Sequence, residues 1–377
     1  MKRIQDFDIK GKNVLVRCDF NVPISREGDV LNDFRIRMAL PTIKYLVEKK
    51  ARVILMSHLE TRGKTFSLER LIPKLEELLN RKIIFFAEYL KKGARAEMEK
   101  VDLGEIILLE NLRFNKEEKE NDEGFAKNIS ELGDIFINEA FSSCHREHSS
   151  IVGVPKHLPK APGFLLEKEL KIFSDVLKNP AHPFVAIMGG VKINTKIKTI
   201  LNILDVVDDL LLGSKMGEVI LAQKGILAGR EFSPEELVKN IDLKNPKIHL
   251  PVDGVIDSQK IVDIRSLKKE ENIFDIGPRT IESFKKIIKK AKTILWNGAL
   301  GMFEDSIFEK GTAEIARAIV ESSAFKIAGG GETISSINQF GLADKFDFLS
   351  TGGGAMLEFL AGEKLPGVEA LKDNYGD

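Results

Sequence analysis

Arginines and histidines gather at one kind of position in the first half of this chain. Glycines and lysines gather at the equivalent positions in the second. In the first half, Arg17, Asp19 and Asn21 follow one strand-like run, and Ser57 and His58 follow another. Glu110, Asn111 and Arg113 follow a third, and Asn138 ends a fourth; Arg35 opens the first helix-like run, and His145, Arg146 and His148 come after the last strand. Guanidinium forks match carboxylate and phosphate oxygens in a fixed geometry. This set therefore reads as a side-chain site for a small anionic metabolite. In the second half the strand ends carry Gly189-Gly190, Gly213, Asn297-Gly298, Gly329-Gly330-Gly331 and Gly352-Gly353-Gly354. A glycine turn between strand and helix offers free backbone N–H groups to an anion. Lys192 and Lys196 follow the first of these turns, four apart at a helix start, and so share a face. This half reads as a backbone site for a polyphosphate. A phosphoryl group passing between two such sites needs positioning, charge neutralisation and exclusion of water, which a hinge between two lobes can supply.

The elements that must position these residues are short β-branched runs alternating with amphipathic helical stretches. The strand candidates are NVLVRCDF, RVILMS, KIIFFA, EIILLE and DIFINEAF in the first half. FVAIMGG, DDLLLG, KIHLPVD, NIFDIG, TILWNG, FKIAGGG and FDFLSTGGG follow in the second. Several are almost wholly apolar, as parallel strands covered on both faces should be. The helical stretches run over 33–50, 67–80, 193–207, 280–291 and 308–322. This alternation predicts an α/β fold: two Rossmann-like lobes with parallel sheets, ligands lying beyond the carboxyl ends of the strands. The seam falls in VPKHLPKAPG, rich in residues that break regular structure, and FLLEKELKIFSDVLK after it reads as a helix joining the lobes. The expected domains are 1–162, with the tail 361–377 returning to it, and 163–360.

With 377 residues, the chain is too long for one ordinary core. A net charge of +0 argues against general attraction to nucleic acid or membranes, so anion binding must come from local clusters. No apolar run is long enough to span a bilayer, and MKRIQDFDIKGK lacks the apolar core of a signal peptide. Cys18 and Cys144 alone do not form a disulfide framework, which points to a reducing cytoplasm. The sequence weighs against three other chemistries. The run from His58 to Thr65 is one glycine short of a P-loop. Cys144, His145 and His148 lack the spacing of a zinc site. The glycine pattern that opens a dinucleotide-binding unit is missing.

At these residues the chain resembles the phosphoglycerate kinases. The resemblance runs from about Gly11 to Gly367. It rests on VRCDFNVP, DFRIRMALPTIKYL, SHL at Ser57, ENLRF at Glu110 and INEAFSSCHREHSS, then on GFLLEKEL, GGVKINTK, LPVD, DIGPRT, LWNGALGMFE, AGGGET and STGGGAMLEFLAGEKLPGV. It implies reversible phosphoryl transfer between 1,3-bisphosphoglycerate and ADP, giving 3-phosphoglycerate and ATP, in a monomer working with Mg²⁺. It also implies roles for matching positions. Asp19, Phe20, Asn21, Arg35, His58, Arg113 and Arg146 would hold the phosphoglycerate. Arg35 and Lys192, with the backbone of Gly352 and Gly353, would neutralise the phosphoryl group in flight. Gly189, Lys196, Gly213, Glu304, Gly330, Gly331, Glu332 and Thr333 would bind the nucleotide, with Glu332 on the metal.

Several positions depart from the family pattern. Glu60-Thr61-Arg62 stands where Gly-Arg-Pro is usual, so the family arginine is missing at Thr61 and Arg62 is a candidate replacement. Glu332 and Glu139 stand in place of aspartates, Gly213-Ser214-Lys215 in place of three glycines, and Ala299-Leu300 in place of Pro-Met. These changes leave two alternatives open: a kinase with another acceptor, and a nucleotide-binding protein on this fold without activity.

Overall fold

In the computed structural model, residues 1–61, 63–191, 193, 195–227, 232 and 241–372 are described. Lys192 and Arg62, both singled out above, lie outside them. The chain divides into two compact units: Met1–Ile172 with Lys364–Asp377, and Phe173–Glu363.

The first unit is built on strands β1 (Asn13–Arg17), β2 (Arg52–Met56), β5 (Ile83–Phe86), β6 (Ile106–Leu109), β7 (Ile135–Asn138) and β8 (Lys160–Pro162); a hairpin of β3 (Glu60–Thr61) and β4 (Lys64–Thr65) stands apart. The sheet order is β5-β6-β2-β1-β7-β8, and every pairing is parallel. Every residue of β1, β2, β6 and β7 is buried, which is what two covered faces require. Alternation sorts their side chains: Val14, Val16, Val53 and Leu55 pack with Ile36, Ile43 and Leu46 of the helix Phe34–Glu48. The chain leaves β1 toward β2 and later returns to its other side as β7. That reversal opens a crevice at the carboxyl ends of β1, β2 and β7. β8 lies within the proline-rich seam, where no strand was expected. Proline is tolerated there because β8 is an edge strand.

The second unit repeats the plan. Strands β9 (Phe184–Met188), β10 (Asp209–Leu212), β11 (Ile248–His249), β15 (Thr293–Asn297), β16 (Phe325–Gly329) and β17 (Phe348–Ser350) form a parallel sheet in the order β11-β10-β9-β15-β16-β17. Its reversal lies between β9 and β15, so Gly189-Gly190 and Asn297-Gly298 stand side by side. The run NIFDIG and part of KIHLPVD do not join this sheet. They supply β14 (Ile273–Ile276) and β12 (Asp253–Ile256), which with β13 (Ile261–Asp263) make a small antiparallel sheet in the order β13-β12-β14. Only a tight turn through Gln259, at φ 61, separates β12 from β13, and so short a link permits only antiparallel pairing.

The joining helix spans Phe164–Lys178, and the division between units falls inside it. Its first turn is tied to the first unit: Phe164 N–H donates to Thr42 Oγ1 (2.9 Å) and Leu165 N–H to Glu139 Oε1 (3.2 Å). Phe173 packs its ring against Phe348 and Phe359 of the second unit. The tail returns to the first unit from Lys364 onward, where Gly367 N–H donates to Cys144 O (2.8 Å).

Candidate active site

At the carboxyl edge of the first sheet, the loop after β1 is pinned by its own backbone. Phe20 is buried, and its N–H donates to Ser57 Oγ (2.8 Å), joining the ends of β1 and β2. Asp19 accepts from Asn21 N–H (2.9 Å) and from the Ser142 hydroxyl, and pairs with Arg35 Nη1 (3.0 Å). Burial alone would raise the Asp19 carboxyl, but Arg35 and these hydrogen bonds outweigh it and bring it down to about 2. Asp19 is thus a fixed anion paired with Arg35. Arg35 also donates to Asn21 O (2.9 Å), and its side chain remains 31% exposed. A guanidinium held on one side and open on the other is preorganised for an anion.

Arg113 is placed by Asn111, which knits the loop after β6. Asn111 Oδ1 accepts from Arg113 N–H (3.0 Å), and its amide donates to Leu59 O (2.8 Å) and Phe66 O (2.6 Å). Arg113 donates to Glu60 Oε2 (2.6 Å), yet its Nε is buried without a partner. The Nδ1 atoms of His145 and His148 are buried and unpartnered too. Burial and then nearby guanidiniums, Arg146 for His145 and Arg113 for His148, lower both rings to about 4. Arg146 beside them is exposed. Buried polar atoms without partners are uncommon in folded proteins, and three of those among the described residues lie at this edge.

Arg17, expected at the ligand edge, lies instead beneath it, with no exposed surface. Its guanidinium donates to Ser150 Oγ (2.7 Å), to Cys18 O and to His58 Nδ1 (3.2 Å), and faces Glu118 Oε1 at 4.0 Å. Arginine can only donate, so Nδ1 of His58 accepts and its ring proton sits on Nε2. Burial, against the pull of Asp19, holds His58 well below its usual range, so the imidazole is neutral at pH 7. Glu118 escaped the sequence reading: it sits in the charged run KEEKEND, which resembles a solvated face, yet it is fully buried. Asn138, also expected at the ligand edge, serves the turn after β7, where its Oδ1 accepts from Ala140 N–H (3.0 Å).

The second unit's edge is made mostly of backbone. Gly189 N–H donates to Asn297 O (3.0 Å) and Gly190 N–H to Ala299 O (2.8 Å). Thr333 Oγ1 accepts from Gly298 N–H (2.6 Å), and Asn297 donates its amide to Gly329 O (2.8 Å) while its own Oδ1 stays buried and unpartnered. Gly330 has φ 99, a left-handed conformation that favours glycine, and opens the helix Gly331–Gln339. The two glycine triplets meet: a Cβ on Gly353 would lie 3.6 Å from Gly330 Cα. Gly352 and Gly353 lead into the helix Gly354–Leu360. Lys196 is buried and donates to Gly189 O. Its ammonium and the Glu332 carboxylate flank Gly190, lying 3.0 and 2.9 Å from where a Cβ would be.

A cavity of about 520 Å³ opens from this edge, lined by Gly190, Lys215, Leu300, Met302, Phe303 and Glu304 among others. That size suits a nucleotide-like ligand. Glu304 is among its lining residues. Gly213 instead lies under Leu300, whose Cδ2 a Cβ there would approach to 2.5 Å. Ser214 sits in the left-handed region at φ 49 and turns its hydroxyl onto Ala299 O (2.8 Å). Lys215 Nζ lies 4.4 Å from the centre of the Phe232 ring.

Among the described residues, no three His, Cys, Asp or Glu side chains are disposed to hold a metal. This holds for Cys144, whose thiol is buried and held near Asn138 and Ala140. Magnesium, implied by the resemblance, fits the second unit's edge in another way. Mg²⁺ keeps much of its water and takes one or two carboxylates plus substrate phosphates, and Glu332 is one exposed carboxylate at a glycine-built anion edge.

Two parallel α/β units, one ending in guanidiniums and imidazoles, the other in glycine turns and a buried lysine, define a phosphotransferase class that works on small anionic metabolites. The phosphoglycerate kinase family model matches residues 4–363. Phosphoglycerate kinases of Clostridium botulinum and Clostridium kluyveri are each 42% identical to the chain, with 99% of it and 98% of theirs covered. Among solved structures, the phosphoglycerate kinase of Coxiella burnetii superposes with TM-score 0.82 at 37% identity, covering 98% of both chains. That of Pyrococcus horikoshii OT3 gives 0.88 at 33% identity, over 99% of this chain and 98% of the other. The chain belongs to the phosphoglycerate kinase family.

Proposed function

We propose that the first unit grips the phosphoglycerate and the second the nucleotide in the reaction of this family. The chain is a phosphotransferase with a carboxyl group as acceptor. It catalyses reversible transfer between 1,3-bisphosphoglycerate and ADP to give 3-phosphoglycerate and ATP. The observation that carries the division of labour is the first unit's edge: Arg35 held on one side, and Arg113 and His148 with buried nitrogens lacking partners. Asn21, His58 through Nε2–H, Arg113 and Arg146 then orient the phosphoglycerate. Asp19 and Phe20 hold the loop that carries them. Arg35 faces the charge that develops in transfer. The neutral state of His58 makes it a hydrogen-bond donor rather than a second cation.

For the second unit the reading assigns nucleotide phosphates to Gly189, Lys196, Gly330, Gly331 and Thr333, and the nucleoside to the cavity, with Glu304 at the ribose and Gly213 supporting its wall. Glu332 would hold Mg²⁺, which, when bound with the nucleotide, offsets phosphate charge. Gly352, Gly353 and Lys192 are assigned to the phosphoryl group in flight, Lys192 from the sequence alone. Among the described residues no helix is long and apolar enough to cross a membrane. Cys18 and Cys144 are both free and buried thiols, which suits the reducing cytoplasm proposed for this enzyme of small molecules.

The test is Arg35→Ala. A charge that matters most in the transition state is lost from kcat, by about a hundredfold, with a smaller change in KM. A change confined to KM would remove Arg35 from the transfer step.

A further inference from the structure

Glu60 puts a carboxylate inside a site made for anions. It occupies a position where the family pattern has glycine, and the structure fixes it there by two means. Its N–H donates to Asn21 Oδ1 (2.8 Å), and β3, which it begins, pairs with β4 through Glu60–Thr65 and Thr61–Lys64. Its Oε2 accepts from Arg113 Nη1 (2.6 Å) and Lys119 Nζ (3.1 Å). The Arg113 side chain is 16% exposed and that of Glu60 25%, so solvent screens the pair only in part. A hydrogen bond from Lys119 and then, against partial burial, one from Arg113 hold the carboxyl below the usual range, so it is ionised at neutral pH.

We propose that Glu60 is an internal competitor of the substrate: a carboxylate that occupies Arg113 and sets the affinity for phosphoglycerate. This rests on the reading of Arg113 as a phosphoglycerate contact. An arriving anion must displace Glu60 from Nη1 or share that arm with it. In either case a fixed negative charge stands beside the incoming one. The contrary role, a bracket that merely aims Arg113, predicts the opposite sign. Under that role, loss of the carboxylate lets Arg113 wander and weakens binding.

Calorimetric titration of 3-phosphoglycerate into the full chain distinguishes them, with steady-state KM measured alongside. Glu60→Gln keeps the shape and removes the charge. It should tighten Kd and lower KM about fivefold, the size of a partly screened ion pair. Arg113→Ala should weaken Kd, and in that background Glu60→Gln should gain little, because the group being competed for is gone. An unchanged or weaker Kd in Glu60→Gln, with Arg113→Ala still deleterious, overturns the competitor role alone. An Arg113→Ala variant that binds like the parent overturns the placement of phosphoglycerate on Arg113. Glu60→Gly, scored by the same titration, replaces Glu60→Gln if thermal melting shows that variant unfolded.

Discussion

Removing Glu118 should strongly destabilise the first unit. Arg17 and Glu118 have no exposed side-chain surface and lie 4.0 Å apart. At an effective dielectric near 20, charges at that distance attract by about 4 kcal/mol, in the range measured when one member of a buried pair is deleted. Glu118 also accepts from Ser150 N–H (2.9 Å) and Ser150 Oγ (2.6 Å), and that hydroxyl in turn accepts from Arg17 Nε. Glu118→Ala therefore leaves a buried cation whose nearest remaining counter-charge is Asp19, already committed to Arg35. A loss of about 4 kcal/mol is a large share of a domain's stability of roughly 5–15 kcal/mol. With a urea m-value of about 2 kcal/mol/M, the midpoint falls by about 2 M. The molecule offers an internal control. Its single tryptophan, Trp296, is buried in β15 of the second unit, so its fluorescence follows that unit while far-UV circular dichroism follows both. The dichroism transition should move further than the fluorescence transition. A midpoint shift below about 0.5 M would mean that Arg17 does not depend on Glu118 for its charge, and the argument would fail.

Two other perturbations test the fold beneath the sites. Gly189→Ala places a Cβ 1.9 Å from Ala299 O and 2.7 Å from its carbonyl carbon, both backbone atoms at the reversal between β9 and β15. It should cost at least about 2 kcal/mol and raise KM for ATP, read by thermal melting and initial rates; a normal KM would take the nucleotide phosphates away from this edge. Glu139→Gln tests a buried acid. Burial, against the hydrogen bonds from Thr42 and the joining helix, lifts the Glu139 carboxyl from 4.5 to about 8. Between those values the folded chain keeps a proton that the unfolded chain releases, so stability declines as pH rises from about 4.5 to 8 and levels off above. Urea midpoints from pH 5 to 8 should fall less steeply in Glu139→Gln; equal slopes in both proteins would rule out Glu139 as their source.

The parallel sheets were legible because their strands are short apolar runs ending in glycine or polar residues, and the joining helix because a proline-rich seam sets its start. The candidate site could be drawn wherever a residue type announces its chemistry: His58 and Arg113 after strands, Arg35 at a helix start, glycines before helices. Partnership was not legible. Nothing in KEEKEND distinguishes Glu118 from its solvated neighbours, because its burial depends on Ser150 and Arg17, each more than thirty residues or a hundred residues away in the chain. Arg17 looked like a ligand contact because it closes β1, but its guanidinium is taken up beneath the edge by Ser150, Cys18 O, His58 and Glu118. Glu60 looked like the loss of a glycine; only its distance to Arg113 gives it a role.

The two units also differ in how they can fail. Under the proposed assignment, function at the guanidinium edge depends on groups that reach outward, so it is lost by subtraction, and loss of Arg35 would also leave Asp19 without its counter-charge. At the glycine edge, the same assignment makes function depend on surfaces that must stay bare. A Cβ on Gly298 would lie 2.3 Å from Gly189 O and 2.6 Å from Lys196 Nζ, and one on Gly330 would lie 2.6 Å from Asn297 Nδ2. There, addition of a single methyl group separates strand ends that hold each other through backbone hydrogen bonds. Ser214 is the exception that fits this logic. It tolerates a side chain at φ 49 because its hydroxyl finds Ala299 O, replacing bare space with a bond. A substitution at the second edge is therefore survivable where the new atoms gain a backbone partner and damaging where they meet backbone atoms too closely.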